Sequence, residues 1–179
     1  HWWNAEAAYA AKTAQLLEQA GHTVFVLTCP GSLNSENLSK RGLSLVENIN
    51  LNSSNPVQLY LSYQKLKIFL LEEQIDLINP HRSEGFPLFV FAARSLSTNR
   101  IENPIPVIRT RGTTRPLFQH WLNRKMHIDW TANYITAGEI VAERLLDAVP
   151  ISPEKLKTIY YSVECSDLPL KSPGDYRTE

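Results

Sequence analysis

Cysteine is scarce. Cys29 and Cys165 are the two in the chain, too few and too far apart for a disulfide framework or a thiolate metal site. Each reads as a small buried or half-buried residue, and the usage fits a reducing compartment. No apolar run reaches the roughly 20 residues that a membrane-spanning helix needs, and the opening residues are no signal peptide. The first residue is His1 rather than methionine, which reads as an N-terminus cut or left out. Net charge is missing as well: 18 Lys and Arg stand against 18 Asp and Glu, so no overall field draws in nucleic acid or anionic lipid. Ligand signatures are absent in turn. There is no G-x-G-x-x-G after a strand, which removes the dinucleotide phosphate turn, and no G-x-x-x-x-G-K-[ST], which removes a P-loop. There is no G-x-S-x-G elbow and no His or Cys pair at zinc spacing, so no metal is expected. A phosphate-accepting receiver would cluster aspartates at strand ends, whereas Asp76 begins its strand.

The composition that remains is ordinary for a globular protein, 43% apolar and 20% charged over 179 residues, enough for one domain with a sizeable core. Helical and strand patterns alternate. Asn4 caps a helix that runs to about Ala20, with Ala5, Tyr9, Thr13, Leu16, Leu17 and Ala20 as its inner face and Gly21 as its stop. His22–Thr28 is a strand. The polar stretch Cys29–Arg41 is a loop with a helical turn from Ser35, and Leu43–Ile49 is a second strand. Asn55-Pro56 opens a helix to about Gln74, with Leu59, Tyr63, Leu66 and Leu70 as its stripe. Asp76–Asn79 is a short buried parallel strand, and Phe86–Leu96 is a helix. Ile105–Thr110 is a strand. Leu117 to about Ile128 is a helix with Phe118, Leu122 and Met126 in line. Trp130–Thr136 is a strand whose Thr136 caps the helix Ala137–Ala148 with Glu139 completing a capping box. Ser152-Pro153-Glu154 starts a helical turn, and Leu156–Val163 is the last strand. This alternation implies an α/β fold, a three-layer Rossmann-like parallel sheet of about six strands with helices on both faces. The first helix has no strand before it, and His1-Trp2-Trp3-Asn4 looks like the loop leaving one. From Glu164 onward Pro, Ser, Gly and Asp dominate, so residues 1–163 read as the domain and 164–179 as a linker or tail.

The chemistry gathers around Ile75–Pro87, IDLINPHRSEGFP. Pro80 ends its strand because it has no N–H to donate. His81, Arg82, Ser83 and Glu84 then fall at the strand's carboxyl end, where open α/β sheets bind ligands. The same window also reads as a solvated loop with a satisfied histidine. Arg109, Arg111, Arg115, Arg124 and Lys125 share a second window with no acid between them, a local anion site in prospect.

The order of segments resembles the N-terminal half of a GT-B type glycosyltransferase of family four. That family has a helix ending in Gly-His-x-Val-x-Val-x-Thr, matched by Gly21-His22-Thr23-Val24-Phe25-Val26-Leu27-Thr28. It has a strand Asp-x-x-x-x-His, matched by Asp76 to His81, and a strand with a basic loop after a proline, matched by Pro106 to Gly112. It has a hydrophobic-hydrophobic-x-Ser strand before a helix, to which Tyr134-Ile135-Thr136-Ala137 corresponds, and the closing Lys-x-x-x-Ile-x-Asn-Gly-Val-Asp is similar to Lys155 to Glu164. The resemblance spans about Asn4 to Glu164. Trp2-Trp3-Asn4 stands where the family often has glycines, and Asn79-Pro80-His81 stands for His-x-His. Ala137 replaces a serine, and Tyr161, Ser162 and Glu164 replace Asn, Gly and Asp.

The resemblance implies a retaining hexosyl- or heptosyltransferase, with this chain as its acceptor-binding half. A nucleotide-sugar is the co-substrate, held mainly by a C-terminal domain with paired glutamates, and no further cofactor is expected. The partners implied are a sugar or lipid-linked acceptor and that donor domain, with no nucleic acid. The setting is cytoplasmic polysaccharide or lipopolysaccharide assembly, with peripheral association at the inner face of the membrane. His81 is the catalytic candidate, hydrogen-bonding a sugar hydroxyl, or else a core histidine bonded to backbone. Acceptor or phosphate contacts fall to Trp3, Asn4, Arg82, Glu84, Arg109, Arg111 and Thr136. The alternatives stay open: the arginines solvate their loop, Glu84 caps the next helix, and Trp2 and Trp3 cover the sheet edge. A rival function is a non-catalytic module that binds a sugar or a phosphate.

Overall fold

The computed structural model describes residues 3–51, 53–97 and 104–161. Helix α1 (Ala5–Gln19) leads to strand β1 (Val26–Leu27), α2 (Leu33–Ser39) and β2 (Leu45–Val46). Helices α3 (Pro56–Glu72) and α4 (Phe86–Ser97) follow, then β3 (Ile108–Arg111), α5 (Trp121–Ile128), β4 (Asn133–Thr136) and α6 (Glu139–Ala148). A 3-10 turn at Pro153–Lys155 enters β5 (Leu156–Thr158). Every strand pairing is parallel, as crossover helices between strands require.

β3, β4 and β5 form one sheet in that order. The Ile78–Pro80 segment lies along β3: Ile78 N–H donates to Pro106 O (3.0 Å), Ile108 N–H to Ile78 O (2.9 Å) and Thr110 N–H to Pro80 O (3.1 Å). β1 and β2 pair separately, at Val26–Leu45 and Leu27–Val46. The single six-stranded sheet expected from the sequence is therefore two parallel groups among the described residues. The apolar runs His22–Thr28 and Leu43–Ile49 are longer than their ladders, because among the described residues each strand of the pair has one hydrogen-bonded neighbour and only Val26–Leu27 and Leu45–Val46 meet. The two groups still share a core. Leu27 and Val46 pack against the cluster that holds Leu66, Leu70, Ile78, Phe86, Val90 and Val107.

Caps set the helix ends. The Asn4 side chain accepts from Ala7 N–H at 2.9 Å, and that of Asn55 from Val57 N–H at 2.9 Å. At the end of α1, Gly21 takes φ +91°, with its N–H on Glu18 O (2.9 Å) and His22 N–H on Leu17 O (3.0 Å), a Schellman stop. The stripe of α3 lies inward, with Leu66 and Leu70 buried.

Five other expectations are corrected. The buried face of α1 is Ala11 and Ala14, against Leu38 and Leu43, while Leu16 and Leu17 are exposed; alanines let the helix approach closely, and the leucines fall on the far side. The region from Ser35 is part of a full helix, since Ser32 caps it through Ser35 N–H. The helix expected from Leu117 starts at Trp121, because His120 Nδ1 accepts from Leu122 N–H and ends the extended approach; Phe118 lies outside the helix and is exposed. Thr136 is the last residue of β4, fully buried and bonded to Thr158 Oγ1 (3.1 Å). The cap of α6 is Gly138, with no side-chain bond, so the capping box does not form. β5 ends at Thr158 rather than Val163. Val163, the tail 164–179 and the His1-Trp2 start lie outside the described residues.

Candidate functional site

Parallel strands end on one edge. There β3 delivers Arg109 and Arg111, the neighbouring segment delivers Asn79–Glu84, and the start of α1 delivers Glu6. The Thr110 hydroxyl donates to Asn79 Oδ1 at 2.9 Å, which fixes the turn after Pro80 against β3. His81 follows. Its ring meets Tyr9 edge-on at 5.9 Å, and its buried Nδ1 has no partner. Burial lowers its pKa to about 4, so the imidazole is neutral at physiological pH.

Arg109 and Arg111 are two apart, so they share one face of β3, and they are 2% and 4% exposed. Three contacts fix Arg109. Its guanidinium carbon sits 4.0 Å above the Phe86 ring, Nη2 donates to Ser83 Oγ (2.9 Å), and Nη1 meets His127 Nε2 (3.4 Å). The state of His127 follows from its other side. Tyr134 donates its hydroxyl proton to His127 O at 2.8 Å and also lies 2.8 Å from His127 Nδ1. Nδ1 therefore carries the imidazole proton, and Nε2 offers its lone pair to Arg109. Burial, with Arg109 and Arg111 nearby, lowers the His127 pKa to about 3. Arg109 is itself lowered to about 10, by burial first and Arg111 second, and remains charged.

Arg111 Nη2 donates to Thr113 O (3.3 Å) and Arg115 O (2.9 Å), so the loop after β3 folds its carbonyls over the guanidinium. The Nε atoms of both arginines are buried without a partner. Among the described residues neither arginine is in salt-bridge contact with a carboxylate. Arg82 and Glu84 instead pair with each other, Nη2 to Oε1 at 2.7 Å and Nε to Oε2 at 3.3 Å, both nearly half exposed. That pairing, rather than capping of α4, engages Glu84; Arg82 holds its pKa below the usual carboxylate range.

Glu6 is the carboxylate that acts on Arg82, Arg109 and Arg111 alike, and burial nevertheless raises its pKa. Tyr9 donates to Ile159 O (3.3 Å), Tyr161 donates to Ala5 O, and their rings meet at 4.5 Å. The chain leaving β5 thus crosses the start of α1. Of the sequence candidates, His81, Arg82, Glu84, Arg109 and Arg111 come together. Thr136 ends the neighbouring strand with its hydroxyl on Thr158, Asn4 is committed to its cap, and Trp3 lies under Arg41 at 4.6 Å. Ser83, in the polar window after Pro80, joins the gathered candidates through Arg109, whereas the sequence does not single out Glu6, Tyr9, Phe86, His127, Tyr134 and Tyr161 as site residues. Their sequence neighbourhoods carry no spacing signal, because each contact joins distant segments.

The model of Glycosyltransferase Family 4 matches residues 7–167. The chain belongs to that family. No curated protein matches the family 4 chain at the sequence level. The solved structures that share its fold include these two. One is a glycosyltransferase from Rickettsia africae ESF-5, with TM-score 0.71 and 17% identity over 92% of this chain and 42% of that one. The other is MurG from Acinetobacter baumannii, with TM-score 0.64 and 15% identity over 93% of this chain and 45% of that one. At these identities the likeness is one of fold, and this family 4 chain spans less than half the length of either. None of the described helices is long and apolar enough to cross a membrane.

Proposed function

We propose that this chain is the acceptor-binding half of a retaining glycosyltransferase that moves a hexosyl or heptosyl group from a nucleotide-sugar to a glycan or lipid-linked acceptor. The carrying observation is the gathering of His81, Arg82, Glu84, Arg109 and Arg111 at the carboxyl edge of a parallel sheet, the place where such sheets take ligands. In this reading a C-terminal domain of the full-length protein holds the nucleotide-sugar across the cleft, and polysaccharide or lipopolysaccharide assembly at the cytoplasmic face of the membrane is the setting.

Transfer develops positive charge at the anomeric carbon and negative charge on the departing phosphate. Fixed cations near that phosphate stabilise the transition state, since their orientation costs nothing at the moment of reaction. Neutral His81 suits a different task. Its imidazole accepts or donates a hydrogen bond at a sugar hydroxyl without adding charge, and Tyr9 fixes the plane of the ring. The Arg82–Glu84 pair at the rim offers acceptors and donors to further hydroxyls.

The test is steady-state kinetics on the full-length enzyme. His81→Ala should lower kcat more than it raises the acceptor KM, because its contact tightens as charge develops. A folded His81→Ala protein with unchanged kcat would place the reacting hydroxyl elsewhere.

A further inference from the structure

Arg109 and Arg111 bury two positive charges on one strand face with no ion-pair partner among the described residues. Neutral groups satisfy part of their hydrogen-bonding capacity: Ser83 Oγ and His127 Nε2 on Arg109, and the Thr113 and Arg115 carbonyls on Arg111. These contacts do not neutralise charge, and both Nε–H groups remain unused. Buried charges are ordinarily paired. The one carboxylate acting on both arginines is Glu6, in the first turn of α1, with its Cγ 4.0 Å from where a side chain on Gly112 would begin. A helix N-terminus adds partial positive charge beside the arginines.

We propose that Arg109 and Arg111 seat a phosphate group, and that Glu6 is the resident counter-charge that the phosphate replaces. This rests on the reading of the carboxyl edge as the substrate cleft. Two guanidinium groups and one carboxylate leave a net positive charge; a phosphate dianion in place of Glu6 leaves none. A ligand carboxylate would only duplicate Glu6. Alternate residues of a strand stand about 6.6 Å apart, a span that the several oxygens of one phosphate can bridge with charge-assisted bonds to both guanidinium groups. His127 and Tyr134 act through Arg109 as positioning residues: the neutral imidazole holds Nη1 while the Phe86 face holds the plane. The loop Gly112–Pro116, whose carbonyls rest on Arg111, is the segment that yields to an incoming phosphate.

The phosphate belongs either to a phosphorylated acceptor or to the diphosphate of the sugar donor, and two measurements separate these. Calorimetry of the full-length protein with inorganic phosphate and with pyrophosphate should show Arg111→Gln binding about tenfold more weakly and Glu6→Gln about tenfold more tightly, the worth of one charge-assisted contact. Glu6→Gln is isosteric and half-buried, so it keeps the test alive if Arg111→Gln fails to fold. Kinetics then assign the source. A raised acceptor KM in Arg111→Gln places the phosphate on the acceptor, a raised nucleotide-sugar KM places it on the donor, and either outcome supports the seat. Unchanged phosphate affinity in folded Arg111→Gln, or weaker binding in Glu6→Gln, overturns it. A protein that binds phosphate as expected yet transfers no sugar would sink the transferase reading and leave the seat standing.

Discussion

His127 illustrates how one residue couples the core to the site. It is 1% exposed, stacked on Phe86 at 4.9 Å, and wedged between Tyr134 and Arg109. Folding drops its pKa from an ordinary 6.5 to about 3. The unfolded chain therefore takes up a proton there as pH falls through about 6.5, and the folded chain does not. Stability from this site is full above that pH and declines below it, by about 2 kcal/mol at pH 5 for this histidine alone. Urea denaturation across that range should show the decline. His127→Gln should flatten the slope, though not abolish it, since His81 is depressed in the same direction. A slope identical in His127→Gln and the parent would show that this imidazole is charged in the fold. The role of His127 is not legible in the sequence alone. Within its own helix His127 is one more polar position after Met126; its meaning comes from Tyr134 on the next strand and Arg109 on the strand before.

At the scale of elements, ends were legible and faces less so. Asn4, Asn55 and Gly21 are cap or stop residues by their own chemistry, and each acts where the sequence placed it. Arg109 and Arg111 were legible for a similar reason: a strand with a known direction delivers its last residues to a known edge. The inner face of α1 was misread because leucine outweighs alanine in any apolar pattern, whereas close approach of a helix favours the smaller side chain. Thr136 was misread because a hydroxyl before a helix resembles a cap, and the pairing with Thr158 lies in the following strand. The cap of α1 carries a direct prediction. Asn4→Ala removes the acceptor for Ala7 N–H and should cost about 1 kcal/mol of stability, read as a lower urea midpoint at unchanged slope. No change in midpoint would mean that solvent serves Ala7 N–H as well as Asn4 does.

For the molecule as a whole, α/β order and strand direction were readable from alternation, while the split into two strand groups was not. Hydrogen-bonded partners of β1 and β2 depend on what stands beside them, and apolar runs do not record neighbours. Nor did the sequence reveal that the chain closes on itself. Tyr161 reaches Ala5 across 156 positions, and Tyr9 reaches Ile159 across 150. Those phenols act as two stitches between the first helix and the segment that leaves β5. Fraying that starts at one seam must therefore open the other, so the protection of amides in the first turn of α1 and at Ile159 forms one cooperative unit. In hydrogen-exchange measurements, Tyr161→Phe should speed exchange at both places together, by similar factors, even though the substitution touches only one.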